Sequence, residues 1–370
     1  MRELDFSSAR WDQLRQTYAQ FWQGELERPL IQITLDGYAS DEAPPDLPLY
    51  QHYLRYPPSA RAADIVDAYD YQLSRQRWFG DAFPSVQFSS PTVAVAFMGA
   101  RVETTEASVW MKPAKASAIE DLHFSVDQSN RYWQQTLELC RTAVESWQDR
   151  VVVRMPTLGG NLDLAMPFLE NETLLLALTD SPQEVHRIVD QLHDCWWFYV
   201  RALNQVLGAG PGYSCWTPLF SDVPYYILQC DFAAMISPDM FDEFVLPEIR
   251  STACKLGNCF FHLDGPGMVP HLDSLLAVDA IRGVQWVPGP KHSASDDLAI
   301  KLYRKILDHG RLAQVCGSMS DFTRVVDALG SARGLFLTTS ASRQAVSESD
   351  VLTFLETYHD DCTNAGHVMH

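Results

Sequence analysis

The 370 residues, 46% hydrophobic and 11% aromatic, suffice for one large β/α barrel with loop insertions. A formal net charge of −19 excludes duplex nucleic acid and an anionic membrane surface as expected partners, because both reward positive charge. No apolar run is long enough to cross a bilayer, and the N-terminal ten residues lack the apolar core of a secretory signal. With eight cysteines in no disulfide-scaffold spacing, a cytoplasmic protein with reduced thiols is expected.

From the N-terminus, Trp11, Leu14, Tyr18, Phe21 and Trp22 recur at helical spacing, so residues 1–29 are read as an extension whose helix packs outside the domain. Leu30 to Leu35 is the first expected strand, closed by Asp36 and Gly37. A proline-rich loop from Ala43 to Pro58 is longer than a simple connection and is read as a lid or packing arm. Ser59 to Gly80 has helical periodicity, and Thr92 to Met98 is read as the second strand. Residues from Gly99 to Asp127 show no clear period and receive no assignment.

Asn130 to Trp147 is an expected helix, and Val151 to Pro156 the third strand. Ser181, Pro182 and Glu184 form a capped helix start, and that helix runs to about Leu207. Tyr213 to Trp216 is read as the fourth strand, followed by a long loop and a helix from Ser237 to Leu256. Cys259 to Asp264, Ala280 to Val287, Leu312 to Cys316 and Gly334 to Ser340 complete the strands, with helices at 297–309, from Ser320, and at 348–358.

Eight strands, nearly all followed by helices, imply parallel pairing and an α/β fold of the (β/α)8 TIM-barrel type, formed by one domain over residues 1–370. No glycine-rich nucleotide motif follows the first strand, and no P-loop occurs anywhere.

In such a barrel the chemistry sits beyond the C-terminal ends of the strands. His262 and Asp264 stand two apart at one strand end, so an extended chain points both to one face. The same rule selects Asn161, Asp163, Trp216, Asp231, Gln285, Trp286 and Cys316. His262, Asp264 and Cys316 can hold a tetrahedral Zn²⁺ with an open fourth position, the pattern of a catalytic site. Alternatively Cys316 is a small buried hydrophobe, and His262 with Asp264 a pair holding an organic substrate. Asp231 is read as a rim acid or a loop-fixing carboxylate, and His271 as a partly exposed surface residue. The tail from His359 to His370 mixes metal-friendly residues without fixed spacing and is read as a frayed terminus.

Three stretches carry a resemblance: 158–163 (Leu-Gly-Gly-Asn-Leu-Asp), 229–247 around Ile236-Ser237-Pro238-Asp239, and 261–267 (Phe-His-Leu-Asp-Gly-Pro-Gly) with Gln285-Trp286-Val287-Pro288-Gly289. Over most of its length the chain resembles the uroporphyrinogen decarboxylase superfamily, which implies a β/α barrel. The superfamily includes metal-free decarboxylases and zinc methyltransferases that move methyl groups between a corrinoid and a thiol. The decarboxylases' arginine-rich N-terminal motif is missing from the matching region at Arg28 to Gly37. The methyltransferases' His-x-Cys-Gly becomes His262-Leu263-Asp264-Gly265, with aspartate in place of the first thiolate and Cys316 near the later one.

The resemblance implies methyl transfer, with zinc on His262, Cys316 and Asp264 activating a thiol, and a corrinoid or methylated small molecule as donor. Trp216 and Trp286 are expected to wall the donor, while Asn161, Asp163, Asp231 and Gln285 orient substrate. A metal-free carboxy-lyase with His262 as general acid, and a non-catalytic corrinoid- or tetrapyrrole-binding barrel, are the alternatives. Expected partners are a small-molecule substrate and a corrinoid protein, and the choice between monomer and homodimer is not legible.

Overall fold

The computed structural model describes residues 1–358 except 41, 58, 106, 107 and 116. The tail from His359, including Cys362, lies outside the described residues. The strands are β1 (Leu30–Asp36), β2 (Gln76–Gly80), β3 (Ser85–Gln87), β4 (Arg101–Thr104), β5 (Val109–Lys112), β6 (Val152–Arg154), β7 (Tyr225–Leu228), β8 (Asn258–Asp264), β9 (Gly283–Val287), β10 (Leu312–Val315) and β11 (Leu335–Ser342). Parallel strands alternating with helices make the fold α/β.

Contacts cluster the chain into two compact units, each assembled from separated segments. One comprises Pro44–Asp70 and Ser85–Arg282; the other comprises Arg2–Ala43, Tyr71–Pro84 and the residues from Gly283 onward.

In the first unit β3 pairs in parallel with β6, and β7 with β8. Two long helices cover apolar strands there. Arg131–Trp147 buries Trp133, Leu137, Cys140, Val144 and Trp147, a stripe at alternating three- and four-residue steps, and Asn130 caps its start. Pro182–Leu207 buries Val185, Ile188, Leu192, Cys195 and Trp196 in the same way. The Trp196 indole stands edge-on to Tyr226 of β7 at 5.4 Å and donates to the Gly159 carbonyl, so this tryptophan fixes the turn after β6.

In the second unit the parallel strands β1, β11, β10 and β9 lie side by side, and β2 adds to β1 antiparallel. Arg28 grips Asp81 with two bonds of 2.8 Å, and the same carboxylate accepts the Ile31 amide. The N-terminal helix Ser8–Gln23 is capped by Ser7, ends on Gly24 at φ 72°, and packs Phe21 against Phe336 of β11.

Two expected strands fall elsewhere. The run from Thr92 to Met98 contains a helical turn, Ala94–Phe97, entered through Thr92 at φ 48°. A short apolar run buried on every side has no period that tells strand from helix. Tyr213–Trp216 makes one bridge, Tyr213 to Ser221, because Pro211 and Pro218 remove ladder donors around it. The parallel strands occupying those places in chain order are β3 and β7, three and four residues long. The unassigned 99–127 region contains the antiparallel hairpin β4–β5, and the proline-rich arm contributes the buried Tyr53, whose hydroxyl bonds Thr136.

Candidate metal centre

Strand β8 runs apolar and buried from Cys259 to Leu263 and then releases the chain through Gly265 at φ 75°, a conformation that suits glycine. The alternation puts Phe260, His262 and Asp264 on one face. Phe260 stands in register with Ile227 of β7, so His262 and Asp264 continue that apolar row at its outer end. His262 is buried and Asp264 half-buried.

A third group meets them. Asp231 begins the 3₁₀ turn Asp231–Met235 just beyond β7, and its carboxylate lies 3.7 Å from His262 Nε2. One ligand atom each from Asp231, His262 and Asp264 all fall within 4.8 Å of one another. Burial raises the Asp231 carboxyl's pKa, and the neighbouring Asp264 raises it further. Two carboxylates beside an imidazole form a donor set that a cation neutralises. One nitrogen and two oxygens from protein match the composition of catalytic zinc sites, so the residues present fit that metal.

Asp231 is placed by a buried carboxylate. Asp163 accepts the backbone amides of Asp231 and Phe232, both at 2.9 Å, and a longer bond of 3.4 Å from Gln229 Nε2. Burial and the neighbouring Asp231 raise the Asp163 pKa, while these donors hold it down. Asp163 itself stands in the first turn of the helix Leu162–Leu169, which Asn161 caps from a strained φ of 47°. Asn161 Nδ2 donates to Glu248 at 2.5 Å, and the other Glu248 oxygen lies 3.2 Å from His193 Nδ1. Trp197 Nε1 donates to His193 Nε2, which makes that nitrogen the acceptor and leaves the ring proton on Nδ1 facing Glu248.

The loops after β7 and β8 are locked together. His271 is buried, against the expectation of a surface residue: its Nε2 pairs with the Ala233 carbonyl at 2.9 Å and its ring stacks on Phe241 at 4.4 Å. An alanine Cβ at Gly267 would come within 2.9 Å of the Ala234 Cβ, so this close approach requires glycine. These contacts set the spacing of the two loops that carry the donors.

Trp216, expected to wall the donor, presents its ring edge-on to His262, 4.7 Å away and tilted 82°. Among the described residues its buried Nε1 has no hydrogen-bond partner. Asn161 and Asp163, expected to contact substrate, are buried with their polar atoms bonded to protein, so they position the Asp231 loop. Asp231, expected to touch substrate, stands among the potential ligands.

The remaining candidates belong to the second unit. Trp286 has no exposed surface and packs as core, so the wall role expected for it is closed to the ring. Gln285 donates to Gln314 at 2.9 Å and also bonds the Cys316 thiol. Burial pushes that thiol up to about 12. Asp231's membership in the donor group was the signal sequence reading missed, because its approach to His262 spans two separate strand ends.

No protein-family model matches this chain, and no curated protein sequence does. A solved methyltransferase from Methanosarcina mazei is similar in structure, with a TM-score of 0.59 and 14% sequence identity over 93% of this chain and 98% of that one. The two share a fold.

Proposed function

We propose that the chain is a methyl-transfer enzyme of the uroporphyrinogen decarboxylase superfamily, with the closed (β/α)8 barrel of that superfamily, and that Asp231, His262 and Asp264 hold a catalytic Zn²⁺. The observation that carries this reading is the convergence of three ligand atoms within 4.8 Å at the ends of β7 and β8. The fold shared with a methyltransferase supports it. Bound there, zinc supplies Lewis acidity that deprotonates an acceptor thiol at neutral pH. The methyl donor in this reading is a corrinoid or a methylated small molecule, with a corrinoid protein as partner.

The chain's own residues do the rest. His262 and the two carboxylates would hold the metal with two negative charges on hard oxygen donors, a set that would leave it a stronger Lewis acid than two thiolates would. Trp216 shields one side of His262 from water. Asp163 fixes the Asp231 backbone, and Asn161, through Glu248 and His193, fixes the turn that carries Asp163. Cys316, the sulfur ligand expected from the sequence, lies in the second unit, and the first unit supplies three donors without it. The proposed centre is therefore drawn from Asp231, His262 and Asp264.

Metal analysis of protein purified without chelator tests the reading. About one zinc per chain is expected, lost in both His262→Ala and Asp231→Asn and kept in Cys316→Ala. Zinc content that is nil, or indifferent to both substitutions, contradicts it. A second reading draws on the raised Asp231 pKa: a metal-free carboxy-lyase in which Asp231 or His262 delivers a proton to the product carbanion. Activity untouched by chelator would favour that one.

A further inference from the structure

His271 ties the two donor-bearing loops together through one hydrogen bond, and that bond fixes which ring nitrogen carries the proton. The Ala233 carbonyl can only accept, so the proton is on Nε2, 2.9 Å away. In the neutral ring Nδ1 is then bare, and among the described residues this buried atom has no hydrogen-bond partner. The ring has no exposed surface and stacks on Phe241, tilted 17° at 4.4 Å. A second proton would sit on Nδ1, where none of the described residues accepts it, and would bring a charge into an enclosed site.

The surroundings offset that cost only in part. The charged groups on the segments packed against the ring are Asp231, Asp239, Asp242, Glu243, Asp273 and, at the end of β8, His262 and Asp264. Enclosure lowers the His271 pKa below its ordinary 6.5, against the opposing pulls of the Ala233 bond and the exposed Asp242 carboxylate. What the ring holds is the spacing of the donors. Ala233 lies in the turn Asp231–Met235, which begins with one donor, and His271 ends the turn Pro266–His271, which follows Asp264 and Gly265.

We propose that His271 is a positioning residue that holds the Asp231 turn to the loop after Asp264 only while its imidazole is neutral, so that proton uptake at Nδ1 opens the donor group. The linkage runs in one direction. With the folded pKa below the unfolded value of 6.5, the locked arrangement is unaffected above that pH and loses stability as pH falls through it toward the folded value. One proton can change the opening equilibrium by at most about tenfold per pH unit. The opening belongs to the protein alone, and the inference rests on the proposed function only for its consequence, an earlier loss of zinc in acid.

The test is hydrogen exchange over residues 231–235 of metal-free protein, read by mass spectrometry and corrected for intrinsic rates, between about pH 7.5 and about pH 5. Wild-type protection is expected to fall as pH drops below about 6.5. His271→Gln keeps a donor for the Ala233 carbonyl but cannot titrate, so it should lose most of this pH dependence. Asp163 and Asp231 also take up protons in this range and remain in that variant, so the difference between the two profiles belongs to His271. Asp242→Asn, at an exposed position, removes an anion that favours the imidazolium and should move the fall to lower pH. A flat wild-type profile, a His271→Gln profile that superimposes on it, or an unmoved fall in Asp242→Asn overturns the assignment. Should His271→Gln fail to fold, the wild-type and Asp242→Asn profiles decide. Zinc titration at about pH 7.5 and about pH 6 reads the consequence: acid should weaken binding several-fold more in wild type than in His271→Gln. Equal weakening overturns the coupling to the donor group. Absence of zinc binding in both defeats the proposed function and leaves the exchange result standing.

Discussion

At the scale of single residues, the proposed centre depends on a carboxylate that stands outside the donor group. Asp163 accepts two backbone amides with its two oxygens, and those amides belong to Asp231 and Phe232. Asparagine offers one acceptor and turns an NH₂ toward the second amide. Asp163→Asn should therefore cost about 1–3 kcal/mol of stability, measured by denaturant unfolding, and loosen zinc binding by letting Asp231 drift. Unchanged stability would show that the Asp163 bonds are not formed. Sequence reading singled out His262 and Asp264 because a two-residue period puts both on one side of a strand. It left Asp231 open between substrate contact and loop fixation, because its approach depends on two loops meeting, which no local period encodes. Cys316 was singled out by its residue type at a strand end and by its place near the family's later thiolate.

At the scale of elements, the loop after β8 is held to the turn after β7 by contact between Gly267 and Ala234 and by the His271–Ala233 bond. Gly267→Ala forces one backbone to retreat, and we expect a loss of about 1–3 kcal/mol together with weaker zinc retention on dialysis. Stability loss with full zinc retention would separate the two loops from the metal site.

The helix Met319–Leu329 gives a pH prediction. Asp321 closes its capping box with Ser318. Partial burial raises the Asp321 carboxyl, but hydrogen bonds from Ser318 and Ser295 and the Arg324 guanidinium overcome this and hold it well below the usual carboxylate range. A lowered folded pKa adds stability above the unfolded value of about 3.9, and that stability is lost as pH falls through the folded value. Asp321→Asn should melt below wild type at about pH 7, with the gap closing as the solution is acidified toward about pH 2. A gap independent of pH would remove the carboxylate from the account.

At the scale of the whole molecule, an acidic chain of net charge −19 gains from a divalent cation bound in its folded form. Binding that favours the native state adds about 2.7 kcal/mol at a hundredfold excess over the dissociation constant, so zinc should raise the melting temperature and chelator lower it. Calorimetry with and without chelator reads this directly; coincident transitions contradict a native-state site. The α/β class was legible because β1, β8, β9, β10 and β11 are apolar runs bounded by turn residues. The strands β3 and β7 were not, since three or four residues carry too little pattern to separate from loop. Trp286 looked like a site residue for its place at a strand end, yet strand alternation sent its ring into the core.

The central claim is that Asp231, His262 and Asp264 share a cation. X-ray absorption at the zinc edge, on protein loaded with one equivalent of metal, tests it most directly. We predict a first shell of nitrogen and oxygen at about 2.0–2.2 Å that collapses in Asp231→Asn. A shell dominated by sulfur near about 2.3 Å, or a spectrum indifferent to that substitution, would contradict the account.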